Sequence, residues 1–223
     1  MQTPAERHLI RQISEFLCRG EASGGARLIL NIGAGRSTTI ERSLADRGCS
    51  FICDRIDVEE CAAEFPNAGS AWQCPVEKMT PLDSGRYAAA FANYVLEHVS
   101  DLKAAASEIA RVLEPGGLFV TSVPNLTAPE FLIARNAPAG LQRVMTQGKG
   151  FETSYGWQTV GDLTRVFEAA GFAVEDTAYW AFTEGYLRRY PVLNLLSRLY
   201  DRAITKSGFR HMMGNVCITL RKP

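Results

Sequence analysis

The sequence predicts an α/β protein whose parallel sheet is covered by helices on both faces. Short apolar runs of the kind that form buried strands alternate with stretches whose apolar residues recur at helical spacing, and this alternation is typical of βαβ units. With 223 residues, 46% of them hydrophobic and 22% charged, the chain can bury the core of a single domain over 1–223. The predicted strands are 27–32, 50–56, 70–74, 86–92, 118–123, 172–179 and 215–220.

The helical stretches lie between these strands. An amphipathic helix is expected within 1–20, before the first strand, and a more polar one over 37–47. Ser100 is placed to cap a helix that ends before Pro115, and a further helix over 160–170 is followed by Gly171.

Two segments fit the alternation less well. The first, 124–158, which we name the cap segment, holds aromatic residues among glycines and prolines (Phe131, Phe151, Tyr155 and Trp157). A long loop in a compact domain is often functional, so we expect it to cover a substrate, the alternative being a surface loop with its own apolar cluster.

The second segment, 183–212, contains a basic amphipathic stretch. Over 186–210 there are six Lys and Arg residues against Asp201 alone, a local net charge of +5. One helical face carries Val192, Leu195, Leu196, Leu199, Ala203 and Ile204. Such a helix packs its apolar face on the core or on a partner subunit, or it meets an anionic membrane or a phosphorylated substrate.

Composition narrows the class of protein. Lys plus Arg and Asp plus Glu both number 24, so the chain offers no overall positive field for nucleic acid, and none is expected as a partner. The six cysteines form no CxxC pair and have no histidine cluster nearby, so no metal site is predicted and reduced thiols in a cytoplasmic protein are expected. The chain has no signal-peptide core and no apolar run long enough to span a bilayer.

The turn after the first strand is the predicted ligand site. It reads Asn31-Ile-Gly-Ala-Gly-Arg-Ser37, and its glycines let the backbone turn tightly and approach a ligand closely. Asp57 ends the second strand 22 residues after Gly35, where a carboxylate can accept both hydroxyls of a ribose. Asp54 is the rival acid, but it lies inside the apolar strand.

Four stretches together resemble the class I S-adenosylmethionine-dependent methyltransferases, in particular the small-molecule branch. They are LILNIGAGRS, the IDVEE around Asp57, FANYVLEHVSDL at 91–102 and RVLEPGGLFVTSVPN at 111–125, in the family's order and spacing. The resemblance implies a Rossmann-like, doubly wound, seven-stranded sheet with an antiparallel last strand. It also implies S-adenosyl-L-methionine as the cofactor and methyl transfer as the activity.

The resemblance assigns roles residue by residue. Gly33, Ala34 and Gly35 resemble the loop under the methionine part of the cofactor, and Asp57 the ribose acid, with Val58 on the adenine. Val76 and Glu77 fall where the family contacts the adenine edge, and Asn93 and Tyr94 where it faces the amino-acid end and the sulfonium. Three residues depart from the pattern: Asn31 replaces the acid that opens the loop, Ser37 its last glycine, and Pro75 an acid for the adenine amino group.

His98 is the candidate catalytic base. It follows the fourth predicted strand, and the ordinary pKa of histidine suits proton abstraction. The alternative is that it holds the loop by hydrogen bonds or packs at the start of the next helix. Glu97 is expected to be a partner at a helix start or in that loop. The function predicted is methyl transfer to a small-molecule or carrier-linked metabolite. A catalytically silent binding or scaffold protein and a nicotinamide-dependent oxidoreductase are the alternatives, and the oligomeric state is left open.

Overall fold

A computed structural model describes residues 2–19, 25–136, 156–188 and 190–223. Seven strands form one sheet in the order β3-β2-β1-β4-β5-β7-β6. Neighbouring strands from β3 to β5 are parallel, and β7 is antiparallel to both β5 and β6, which confirms the predicted topology. The strands are β1 Arg27–Ile32, β2 Phe51–Asp57, β3 Ala68–Gln73, β4 Tyr87–Asn93, β5 Leu113–Pro124, β6 Ala173–Trp180 and β7 Asn215–Arg221.

The described helices are α1 Pro4–Arg19, α2 Thr39–Asp46, α3 Leu102–Val112, α4 Pro129–Asn136, α5 Val160–Ala169, α6 Thr183–Tyr186 and α7 Pro191–Ser207. Two 3₁₀ turns, Leu96–His98 and Arg210–Met212, complete the set. The predicted cap of α3 is wrong: Asp101, not Ser100, accepts the first free amides of the helix, from Lys103 and Ala104. Helix α4 is a further difference, because the sequence predicted irregular structure there.

The core has two halves, one on each face of the sheet. Helices α3 and α5 cover one face, where Phe119 of β5 packs against Phe167 with ring centroids 5.3 Å apart. Helices α1 and α2 cover the other face, where Phe91 and Val120 point. Successive side chains of β4 and of 118–123 in β5 alternate between these halves, so these stretches are buried on both faces of the sheet.

The edge at which the parallel strands end is the part of the fold that concerns function. The strand order reverses between β1 and β4, and ligands of doubly wound sheets bind beyond the carboxyl ends at such a point. The connection 181–214, which carries α6 and α7, also starts and ends at this edge. Asn125, just after β5, fastens it by donating its side-chain amide to the carbonyl oxygens of Met213 at 2.9 Å and Arg210 at 3.1 Å.

Of the cap segment, only the beginning and the end are described. Helix α4 packs closely against Gly214 through Glu130 and Phe131. Residues 137–155, with Phe151 and Tyr155, lie outside the described residues, so the role of this segment stays a prediction. Within the described ranges no helix combines the length and the apolar character that a membrane span needs.

Candidate functional site

The glycine loop after β1 has a backbone that only glycine adopts easily. Gly33 and Gly35 have φ angles of +66° and +52°, in the left-handed region. A Cβ at Gly33 would lie 2.3 Å from Cγ2 of Val95, so this position is also closed by packing. At Gly35 no atom of the described residues lies within 4 Å of the corresponding point, which leaves the space above the loop open.

Asp57 lies at the carboxyl end of β2, beside this loop. Its Oδ2 accepts the amide of Gly35 at 2.8 Å and its Oδ1 accepts the amide of Glu59 at 3.0 Å. An ionised carboxylate has about four acceptor positions, so each oxygen keeps one for another donor. The loop therefore orients this acid and leaves it able to bind a diol.

Asp54, the rival acid, has a structural role. It is buried and accepts the amide of Ser70 at 2.7 Å and the hydroxyl of Tyr87 at 2.9 Å, with Arg86 at 3.3 Å. Burial, and secondarily the Asp54 carboxylate, raises the pKa of Tyr87, which keeps the hydroxyl a donor. Asp54 thus ties β2 to β3 and β4, and its carboxylate is satisfied within the sheet.

The buried side chain of Arg55 stabilises the glycine loop, and the sequence analysis did not identify this residue. Arg55 lies wholly inside the protein and pairs with the equally buried Glu41 at 2.9 Å. The same Glu41 oxygen accepts the side-chain amide of Asn31 at 2.7 Å, so the negative charge missing at Asn31 is supplied from α2. The guanidinium also donates to three loop carbonyl oxygens at 2.9–3.1 Å, those of Ala34, Gly35 and Ser37.

A cavity of about 420 Å³ opens above the loop, within the range of small-molecule sites. Of the predicted site residues, it is lined by Gly33, Gly35, Asp57, Val58, Val76, Glu77, Tyr94 and His98. Pro75, which stands in place of the adenine acid, also lines it, as do residues that the sequence did not assign to the site: Ile32, Ile56, Glu59, Cys74, Val95 and Val99. Within the described part of the chain, Ala34 and Asn93 are not among the lining residues. The side chain of Ala34 is buried, and its backbone amide donates to the carbonyl oxygen of Ile56 at 3.1 Å.

The far wall of the cavity holds Glu77, whose carboxylate is already engaged. One of its oxygens accepts both the amide of Ser100, at 3.1 Å, and the Ser100 hydroxyl, at 3.0 Å. This contact explains why Ser100 does not cap α3. It also leaves the second Glu77 oxygen as the one that can meet a ligand.

Tyr94 forms the wall next to β4 with a strained backbone. Its φ of +56° is unusual for a residue with a side chain, and such strain is concentrated at functional sites. Its hydroxyl donates to Oδ1 of Asn215, which is fully buried at the start of β7. Within the described ranges, Nδ2 of Asn215 and Oδ1 of Asn93 have no hydrogen-bond partner, so two unsatisfied amide groups lie near this wall.

The 3₁₀ turn after β4 places two titratable side chains in different surroundings. His98 is exposed and lines the cavity, and its amide donates to Val95 at 2.9 Å. Glu97 is buried, and loss of water contact raises the pKa of its carboxyl to about 7. Its Oε2 accepts no hydrogen bond from the described residues, and its expected role at a helix start or as a loop partner stays a prediction.

Of the cysteines, Cys74 lines the cavity. All six are free thiols, and all but Cys18 are buried. Burial raises the pKa of Cys53 and of Cys217, which keeps both thiols protonated and unreactive at neutral pH. In the described ranges, no three His, Cys, Asp or Glu residues are grouped as a metal site would need.

Comparison with known proteins agrees with this site. Residues 30–121, which run from β1 to β5, match the family model of the methyltransferase domain. No curated protein sequence matches the chain significantly.

Several solved structures share the fold. An S-adenosylmethionine dependent methyltransferase from Mesorhizobium loti superposes with a TM-score of 0.66 at 18% identity, over 97% of each chain. The geranyl diphosphate C-methyltransferase of Streptomyces coelicolor A3(2) has a TM-score of 0.60 at 17% identity, over 100% of this chain and 85% of its own. The [4+2]-cyclase SpnF has a TM-score of 0.57 at 18% identity, over 95% of this chain and 80% of its own. At these identities the superpositions establish the fold alone.

Proposed function

We propose that the chain is a class I S-adenosylmethionine-dependent methyltransferase that methylates a small-molecule or carrier-linked metabolite. The observation that carries the proposal is the cavity at the carboxyl edge, where Gly35 and Asp57 are joined by a hydrogen bond of 2.8 Å. S-adenosyl-L-methionine is the cofactor of this family, and the residues present fit it.

The fit rests on three features of the cavity. The space above Gly35 is open, so the backbone can lie against the methionine part of the cofactor. Asp57 keeps free acceptor positions for the two ribose hydroxyls. Val58 is 66% exposed and Val76 lines the cavity, which supports placing the adenine between them. The bond from Tyr94 to Asn215 supports a position for Tyr94 beside the reacting groups.

The bound cofactor supplies an electrophilic methyl group with a good leaving group. The protein therefore gains much of its rate by aligning the acceptor, and a base is needed only when the acceptor gives up a proton. His98, exposed at the cavity, is the residue we propose for that proton. The exposed ring has access to solvent, to which it can pass the proton on.

The beginning of the cap segment lies at the edge of the sheet that bears the cavity. Helix α4 follows β5 directly and packs on Gly214, just before β7, so the segment leaves the sheet at the carboxyl edge. We propose that the cap segment excludes water from the acceptor. We also propose that the chain is a single domain in which this segment is an insertion. The similarity in fold to the geranyl diphosphate C-methyltransferase supports the proposal that the acceptor is a small organic molecule.

The likeness to a cyclase shows that this fold also serves reactions other than methyl transfer, so binding and turnover need separate tests. Calorimetry with S-adenosylmethionine and S-adenosylhomocysteine measures the first, with NAD as the unrelated ligand. We expect micromolar binding of both sulfur ligands and none of NAD. Asp57→Asn removes a charged acceptor and should weaken binding by about tenfold or more, whereas the exposed Asp83→Asn should leave it unchanged.

Turnover is measured by release of S-adenosylhomocysteine over a panel of small acceptors, with His98→Gln alongside. Absence of binding in the wild type would overturn the cofactor assignment. Tight binding without turnover on any acceptor would instead favour the catalytically silent scaffold. An acceptor methylated equally well by the His98→Gln protein would remove this histidine from the mechanism.

A further inference from the structure

Helix α7 turns its apolar side to solvent. Four large aliphatic residues at positions i, i+3, i+4 and i+7 are each more than half exposed: Val192 at 74%, Leu195 at 60%, Leu196 at 57% and Leu199 at 54%. Tyr190 and Phe209, at the two ends of the helix, are about half exposed as well. We name Val192, Leu195, Leu196 and Leu199 the apolar stripe. A continuous apolar surface of this kind marks an interaction site.

Polar contacts hold the opposite side of the helix against the protein. The buried Asp201 accepts the amides of Thr183 at 3.1 Å and Glu184 at 2.9 Å. Asn194 donates its side-chain amide to the Glu184 carbonyl at 2.9 Å. Because these bonds fix the rotation of α7, the outward direction of the apolar stripe is built into the fold. The expectation that this face packs on the core is therefore wrong for all but Ile204.

Cations border the apolar stripe. Arg198, Arg202 and Lys206 recur every four residues along one side of it, and all three are exposed. Over 183–212 six Lys and Arg residues oppose two acids, a net charge of +4. Asp201 points inward, and Glu184 is paired with Arg198 at 3.1 Å, so the positive charge dominates the outer surface. An open hollow of about 410 Å³ lies among these residues, large enough for a phosphate headgroup.

The charge decides between the candidate occupants. A second copy placed symmetrically on this face would set two rows of cations against each other, which is unfavourable. An anionic bilayer satisfies both features at once, because its acyl region accepts the leucines and its phosphates accept the arginines and the lysine. We propose that α7 docks the protein on the surface of a membrane containing anionic phospholipid.

The fold also gives the docked protein an orientation. The connection that carries α7 begins after β6 and returns into β7, so both of its ends lie at the carboxyl edge of the sheet. Asn125 and Thr127, which follow β5, bond to this connection at Met213 and His211. Docking through α7 thus holds the edge that bears the cofactor cavity next to the bilayer.

The test is sedimentation of the full-length protein with vesicles of phosphatidylcholine alone or mixed with phosphatidylglycerol. It needs no methyl donor and no acceptor, so its outcome is independent of the proposed reaction. We expect binding to the mixed vesicles only, weakened by salt, because the charged contacts are screened. Binding to neither vesicle, or to both equally, would overturn the proposal.

Paired variants separate the two contributions. Leu195→Ser with Leu199→Ser should reduce the partition coefficient by about tenfold or more, whereas Leu195→Met with Leu199→Met keeps the apolar surface and should bind as the wild type. Arg202→Glu with Lys206→Glu should reduce the partition coefficient by about tenfold or more. The control, Arg47→Glu at the exposed end of α2, should leave the partition coefficient unchanged. Sedimentation velocity provides the rival outcome: a dimer abolished by the serine variant, without vesicle binding, would show that a second copy covers this face instead.

Discussion

Replacing Glu97 with glutamine removes a carboxylate that the fold holds away from water. Glu97 lies in the 3₁₀ turn after β4, is almost fully buried, and has an Oε2 without a partner among the described residues. Burial raises its pKa from 4.5 to about 7. Glutamine has the same shape and no charge, so the variant isolates the cost of the buried anion.

The size and sign of the effect follow from this shift. The folded protein binds the proton more tightly than the unfolded chain, so no cost arises below about pH 4.5, and stability falls as the pH rises through 7. A shift of about 2.5 pKa units corresponds to about 3 kcal/mol once both states are ionised. We therefore expect Glu97→Gln to stabilise the protein by about 1 kcal/mol at about pH 5.5 and by about 3 kcal/mol at about pH 8.5.

Urea unfolding of both proteins at the two pH values measures this difference as a change in the free energy of unfolding. Glu168→Gln, an exposed substitution on α5, is the matched control and should change stability little at either pH. A stabilisation that does not grow with pH, or a Glu97→Gln protein less stable at high pH, would refute the reasoning. It would mean that the carboxylate has a donor that compensates its burial.

Two further predictions concern the loop. Gly33→Ala should destabilise the protein by about 2 kcal/mol or more in urea unfolding and weaken cofactor binding in calorimetry, because the new Cβ meets Val95. Gly85→Ala is the control, since it has the same backbone strain (φ +64° against +66°) without a clash. It should lower the free energy of unfolding by about 1 kcal/mol and leave binding unchanged. Equal costs for the two would exclude the contact with Val95 as the cause. Arg55→Met should cost about 3–5 kcal/mol because it strands the buried Glu41, and adding Glu41→Gln should recover part of this loss. A strictly additive pair in the double-mutant cycle would show that the two charges do not depend on each other.

Strands β1, β2 and β4 were predictable because a parallel strand buried on both faces forms a short, largely apolar run. The prediction for β5 was less accurate, since this strand begins at Leu113 and not at residue 118. The run Arg27–Ile32 is bounded as predicted, and β2 and β4 differ from their predictions by one residue at each end. The helix caps were less predictable. Ser100 has the right residue type for a cap, but its hydroxyl bonds to Glu77, 23 residues away in the chain. Local pattern carries no information about such a partner.

The residues of the site likewise differ in whether local sequence could predict them. Asp57 and the glycines have a fixed spacing after β1, so the sequence identified them as candidates. The pair of Glu41 and Arg55 depends on how α2 lies over the sheet, and no spacing rule describes it. One signal was present: Arg55 is a charged residue in a strand predicted to be buried, and such a residue needs a partner. Likewise, the inward side of α7 is set by Asp201, and apolar periodicity alone favoured the opposite side.

Strand β2 provides both charges that hold the glycine loop. Arg55 and Asp57 are two residues apart, so they project from the same face of the sheet, and the parallel register sets Arg55 beside Asn31 at the start of the loop. The cation binds three loop carbonyl oxygens, and the anion binds the amide of Gly35. Opposite charges on one strand thereby satisfy opposite ends of the loop's peptide dipoles. All of these bonds are made within the protein, so they hold the loop in one shape, and binding of the cofactor loses little free energy to ordering it.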